Sequence, residues 1–306
     1  MACFQPLLAV DNGIDSETGK HRINFLNMSR YGSLERVRDI FGDKLMMLPC
    51  GHCVACAQDY ARMWQARIVA ESQYYEKKCF VTLTYREERA PNKEDFRSFI
   101  DRLQKRFGED GKRLKDLKFF ACGELGEHTK RFHMHAILFG VDFAEDRKVI
   151  SKRGLNYIYT SKTLDECWRH GYCSFGDVDV ASAGYVSKYC DKKKISSLDS
   201  GEFIMMSRGL GKRYFEEHKY ELFDSDYIYF AGNKFKLPRY FINLARKDDF
   251  LLMLDADVYC ERKQKVAQSF RYDKCRSFVL EDEARLEASR CALDKKLNHE
   301  GVRDVL

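Results

Sequence analysis

Residues 131–140 read RFHMHAILFG. The run beginning at His133 is short and apolar apart from its two histidines, which predicts a strand. Alternate side chains of a strand share a face. His133, His135, Ile137 and Phe139 therefore point one way, and Met134, Ala136 and Leu138 the other. Apolar residues on both faces predict a central strand. Two histidines on one face bring their imidazoles close enough to share one metal ion.

The segments on either side complete the pattern. LKFFACGEL (117–125) predicts a strand, and a hairpin joining it to 131–139 would bring Glu124 beside the histidines. His128 lies near the turn of that hairpin and is expected to face water. Upstream, CFVTLTY (79–85) alternates as a strand. Residues 91–108 carry Phe96, Phe99, Ile100, Leu103 and Phe107 at helical spacing, with Asn92 as cap and Gly108 as stop. Downstream, TLDECWRHG (163–171) predicts a helix ending at Gly171, YCSFGDVDV (172–180) a strand, and residues 179–194 a helix.

The order strand–helix–strand–strand–helix–strand–helix fits an α+β fold, an antiparallel-rich central sheet with helices packed on it. Steady β–α alternation, as a doubly wound fold requires, is missing. Farther on, 207–221 predicts a glycine-bearing loop entering a helix. Residues 227–241 predict a hairpin with a Gly-Asn turn, and 281–297 a charged, solvated helix. The expected organisation is a cysteine-rich segment and helix over 1–76, a core over 77–200, and a helical and hairpin extension over 201–306.

The composition sets bounds on function. Of 306 residues 44% are hydrophobic and 33% charged, which is globular rather than disordered. A net charge of +6 is compatible with a nucleic-acid partner without requiring one. No run of about 18 apolar residues predicts a membrane span, and the start lacks a signal-peptide pattern. A cytoplasmic setting follows as the expectation, and it argues against reading the 12 cysteines as disulfides. Cys79, Cys122, Cys167, Cys173 and Cys190 are scattered singly among apolar neighbours, as small core residues would be.

One cysteine group differs. PCGHCVACAQDY (49–60) holds Cys50, Cys53 and Cys56, two residues inside each gap. Cys-x-x-Cys lets two thiolates reach one tetrahedral ion from a tight turn, which Gly51 eases. Cys56 starts the following helix, whose N-terminus favours a thiolate. A structural zinc ion needs a fourth ligand, with Cys3 the candidate and His52 the alternative. An iron–sulfur cluster is the other metal such a group could hold. The expected role is to staple an irregular N-terminus to the helix.

GYVSKYCDKKK (184–194) supplies a second chemical element. Tyr185 and Tyr189 are four apart and share a helix face, with Lys188 beside them. Tyrosine can attack phosphorus, but with an ordinary pKa of about 10 it needs help. Lysines stabilise a phenolate, and a metal ion holds the phosphate in line. His133, His135 and Glu124 would leave coordination positions open, as a catalytic magnesium or manganese ion requires. Taken alone, the tyrosines read as half-buried helix residues. The upstream triad shifts them towards chemistry.

These motifs together resemble those of HUH endonucleases, the rolling-circle replication initiators. FVTLTY (80–85) is similar to the family's first strand motif, Glu124 with HMH (133–135) to its metal motif, and YVSKY (185–189) to its two-tyrosine motif. The cysteine group, SRGLGKRYFEEH (207–218) and KFKLPRY (234–240) resemble more narrowly the initiators of gokushovirus-type microviruses, small single-stranded DNA phages. The resemblance covers residues 1 to about 245. Phe132 departs from the pattern, standing where proline is expected, and leaves the ligands unaffected.

The resemblance implies metal-dependent nicking and joining. Tyr185 or Tyr189 attacks one phosphodiester of the viral origin DNA, giving a 5′-phosphotyrosine and a 3′-OH that primes a host polymerase. The second tyrosine then releases a closed single-stranded circle. A host helicase is implied because no G-x-x-x-x-G-K-[ST] loop is present. The implied setting is the cytoplasm of a bacterial host. A plasmid-type initiator, a non-catalytic zinc-containing DNA-binding protein and a metal-dependent hydrolase of small molecules are the competing readings.

Overall fold

The computed structural model describes residues 3–16, 21–89, 92–125, 131–153, 156–195, 203–225, 227–245 and 247. His128 and the helix expected over 281–297 lie outside them. The described chain forms two compact units, one ending at Cys56 and one spanning Ala57–Lys247.

The first unit is regular, which corrects the expectation of an irregular N-terminus. Strands β1 (Leu7–Ile14), β2 (His21–Phe25) and β3 (Leu45–Leu48) form an antiparallel sheet in the order β2-β1-β3. Between β2 and β3 lie the short helices α1 (Met28–Tyr31) and α2 (Leu34–Phe41). Asn27 caps α1 and Ser33 caps α2, each side chain accepting from a backbone N–H of the first turn. Val10, Val37 and Leu45 form a small core beneath them. Every residue of β2 is exposed, so it carries no burial pattern that a sequence reading could detect.

Helix α3 (Val54–Ser72) leads into the second unit. There β4 (Lys78–Tyr85), α4 (Lys93–Arg106), β5 (Lys118–Leu125) and β6 (Phe132–Phe139) follow the predicted sequence within a few residues. Next come β7 (Lys148–Arg153), β8 (Asn156–Thr160), α5 (Lys162–Trp168), β9 (Gly171–Gly176) and α6 (Val180–Ile195). The unit closes with β10 (Phe203–Met206), α7 (Lys212–Ser225), β11 (Tyr227–Phe230), β12 (Asn233–Lys236) and α8 (Arg239–Ala245). Seven strands form one antiparallel sheet in the order β10-β5-β6-β4-β9-β8-β7, an α+β architecture with β6 near its centre.

Register fixes the two faces of this sheet. Val81, Leu83, Met134, Ala136, Leu138, Cys173 and Phe175 lie on one face, packed against Phe96, Phe99 and Leu103 of α4 and Leu164 and Trp168 of α5. Asn92 caps α4, with Glu94 and Asp95 in the first turn and Lys105 and Arg106 in the last complementing the helix dipole. The other face carries the histidines and is covered by α6 over β5, β6 and β10.

Three local expectations change. Helix α5 ends at Trp168 with Arg169 left-handed (φ 68°), whereas Gly171 opens β9. Gly171 meets a steric demand, because a Cβ there would lie 2.2 Å from the Thr84 carbonyl oxygen. Strand β9 stops at Gly176, so Asp179 belongs to the next helix. It accepts from the Ser182 N–H at 2.6 Å while its own N–H donates to Ser182 Oγ at 2.8 Å, a reciprocal cap. The β11–β12 turn is Ala231-Gly232, both at positive φ (46° and 75°), with Asn233 already in the strand. Positive φ at both central residues is the twist-matched two-residue hairpin turn.

Glu71 of α3 ties distant parts of this unit together. Its carboxylate, 1% exposed, accepts from Lys118 Nζ at 2.7 Å and from the Gly211 N–H at 2.5 Å. Glu71→Ala leaves a buried amide without its acceptor. It should lower stability by about 1–3 kcal/mol, read as an earlier midpoint in urea unfolding with an unchanged slope.

Candidate metal centre and tyrosine helix

The β5–β6 register sets Glu124 directly opposite His133, and Cys122 opposite His135. Directly opposed residues share a face, so Glu124 and both imidazoles project together. His133 Nε2 lies 2.6 Å from Glu124 Oε1, and His135 Nε2 lies 3.2 Å from the same oxygen. The donor atoms of all three residues fall within 4.8 Å of one another.

Each histidine is aimed by its other nitrogen. His133 Nδ1 is 3.2 Å from the Arg131 carbonyl oxygen, and His135 Nδ1 is 3.0 Å from Thr82 Oγ1. Partners on the far nitrogen fix ring orientation and leave Nε2 for a metal. Phe80 stacks on the His135 ring at 5.5 Å with an 11° interplanar angle. Thr82 and Phe80 belong to the FVTLTY strand, and β4–β6 pairing puts Thr82 beside His135. The sequence reading placed that strand but assigned neither residue a site role. Their period-2 positions were the available signal.

The site is deeply set. Glu124 and His135 are each 5% exposed, and His133 is half-buried. Burial pushes the Glu124 carboxyl up, but hydrogen bonds from His133 and His135 outweigh it and hold the group below its ordinary value. Burial lowers His135, only partly offset by Glu124, which favours a neutral imidazole able to bind a cation. A buried carboxylate and two neutral imidazoles on one side of a pocket form a donor set that fits a divalent ion with open positions.

Helix α6 brings the tyrosine segment to this face. The Tyr185 ring meets His135 edge-on at 5.3 Å and Phe80 at 6.0 Å. Tyr189 lies one helical turn farther along α6. The side chains of Lys188 and Tyr189, and that of Cys190, lie outside the described structure. Of the scattered cysteines, Cys79, Cys122, Cys167 and Cys173 are buried, in keeping with a packing role.

A second group of donors lies in the first unit. Cys3, Cys50, Cys53 and Cys56 place their sulfurs within 4.8 Å of one another, while His52 is not in the group. Cys50–Cys56 and Cys3–Cys53 are each 3.9 Å apart. That is too long for a disulfide of about 2.05 Å. It is close to the roughly 3.8 Å edge of a tetrahedron with zinc–sulfur bonds of about 2.3 Å. Burial raises the Cys53 thiol, but hydrogen bonds, among them one donated by the Phe4 N–H, bring it down to about 7. Burial pushes Cys3 and Cys56 up. Four crowded sulfurs cannot all ionise unless a cation neutralises them.

Comparison with known proteins fits this geometry. The family described as replication-associated protein ORF2 matches residues 78–194, which hold the metal triad and the tyrosine helix. The class is therefore that of replication-associated proteins. The chain is 30% identical over 293 residues to replication-associated protein ORF2 of Spiroplasma virus 4, covering 88% of this chain and 87% of that one. It is 28% identical over 246 residues to replication-associated protein VP4 of Bdellovibrio phage phiMH2K, covering 76% and 78%. It is 30% identical over 219 residues to replication-associated protein ORF4 of Chlamydia phage 1, covering 65% and 54%. The chain belongs to this family, the replication-associated proteins of gokushovirus-like microviruses. No solved structure matches it.

Proposed function

We propose that this protein initiates rolling-circle replication by cutting and rejoining one strand of a viral origin. The observation carrying the reading is the convergence of both Nε2 atoms on Glu124, with the Tyr185 ring packed on His135. A tyrosine oxygen of α6 attacks the phosphorus and the bond to the 3′ oxygen breaks. The products are a 5′-phosphotyrosine and a 3′-OH, the primer for a host polymerase. The new link keeps the energy of the old one, so rejoining needs no nucleotide. The second tyrosine, one turn away, then takes over the strand and lets a circle close.

Glu124, His133 and His135 would hold magnesium or manganese, which supplies charge stabilisation at the phosphate. Thr82 and the Arg131 carbonyl keep the two rings aimed at that point. Phe80 and Tyr185 shield His135 from water. We also assign a structural zinc ion to Cys3, Cys50, Cys53 and Cys56, action in the host cytoplasm, and a host helicase as partner. No described helix is long and apolar enough to cross a membrane.

The test is incubation with single-stranded origin DNA and manganese, followed by a denaturing gel and mass spectrometry of the adduct peptide. A covalent adduct on the α6 peptide is expected. Its absence, with intact DNA binding, would favour a non-catalytic DNA-binding role. For the cysteine group, Cys53→Ser should reduce zinc in the purified protein from about one equivalent towards zero and lower the unfolding temperature. Unchanged metal content would reject the assignment.

A further inference from the structure

The β11–β12 hairpin has two unlike faces. Ile228 (0% exposed) and Phe235 (8%) pair across the strands and point inward, on the side where α7 packs against β11. Tyr227 pairs with Lys236 and Tyr229 with Lys234, so these four residues make the outer face. Tyr229 is 60% exposed, and both lysines are exposed. Lys234 Nζ stands 3.6 Å from the Tyr227 ring centre and 5.7 Å from that of Tyr229. No carboxylate lies in either strand.

We infer that this outer face binds single-stranded DNA, its tyrosines stacking on bases and its lysines meeting phosphates. The inference rests on the proposed reading of the chain as a DNA strand transferase. Charge selects the occupant first, because a face built only from aromatic rings and cations complements a polyanion with flat bases. Spacing then selects the single strand. The two tyrosine centroids are 6.3 Å apart and tilted by 55°. That is about twice the ~3.4 Å step of stacked bases. Neighbouring bases must unstack to use both rings, and a duplex opposes this. The two-residue turn keeps the strands in register, so the face is preformed and little ordering is lost on binding.

The experiment uses the full chain and a fluorescent oligothymidylate, titrated at several salt concentrations without divalent metal, beside a duplex of the same length. Tyr229→Ala is expected to weaken single-strand binding about 10-fold, the scale of one base–aromatic stack. Tyr229→Phe should stay within about twofold, because the stacking ring remains. The pair Lys234→Gln with Lys236→Gln should flatten the salt dependence by about 1.4, from roughly 0.7 per phosphate contact on a single strand. Unchanged single-strand affinity, or an equal loss on the duplex, overturns the inference. If Tyr229→Ala proves poorly folded in thermal unfolding, the salt slope of the lysine pair decides. No cleavage enters this measurement, so a wild-type protein that forms no adduct defeats the nuclease reading without touching this result.

Discussion

Replacing Tyr185 and Tyr189 together by phenylalanine is expected to abolish covalent attachment to origin DNA. The adduct yield should fall by roughly 10⁴-fold or more, to the floor of a denaturing gel. The substitution removes only two hydroxyls. The Tyr185 ring stays in place against His135 and Phe80, so the fold and the metal triad should persist. Unfolding temperature and manganese binding should match the wild type within error. Each single variant should retain an adduct on the other tyrosine, because both sit on α6 one turn apart. An adduct that survives in the double variant would show that the nucleophile lies elsewhere.

The second large effect is at the triad. His133→Ala should reduce cleavage by roughly 10²–10³-fold, the scale of losing one group that organises charge at a reacting phosphate. His133 is the better target than His135, because it is half-buried while His135 is 5% exposed and packed between Phe80 and Tyr185. Chelation with EDTA should silence the wild type, and manganese should restore it. His133→Ala should respond poorly to the same addition. Thr82→Val, which removes the partner of His135 Nδ1, should cost about 10–100-fold while leaving all three ligands in place. Undiminished nicking in His133→Ala would reject the metal assignment.

The sequence by itself determined the parts governed by short periods. Period-2 alternation puts His133, His135 and Glu124 on one face as soon as the β5–β6 hairpin is accepted, and the register pairs Glu124 with His133 across that hairpin. Helix α4 was legible from its apolar stripe and its caps, and α6 from its spacing. Cys50, Cys53 and Cys56 announced themselves by their intervals.

What lay between the elements was decided only in three dimensions. KVISKR and NYIYT pair as β7–β8 at the sheet edge, where solvent removes the apolar alternation that marks a strand. Met205 and its neighbours in β10 reach β5 across some eighty residues, and nothing local specifies that partner. Cys3 joins its group from 47 residues away. Above all, α6 could have packed on either face of the sheet. The α4 and α5 side chains fill the other face with Phe96, Phe99, Leu103, Leu164 and Trp168. The face left for α6 is the one bearing the histidines. Local pattern fixes which way each side chain points, but the partner it meets depends on how all the apolar faces are buried together.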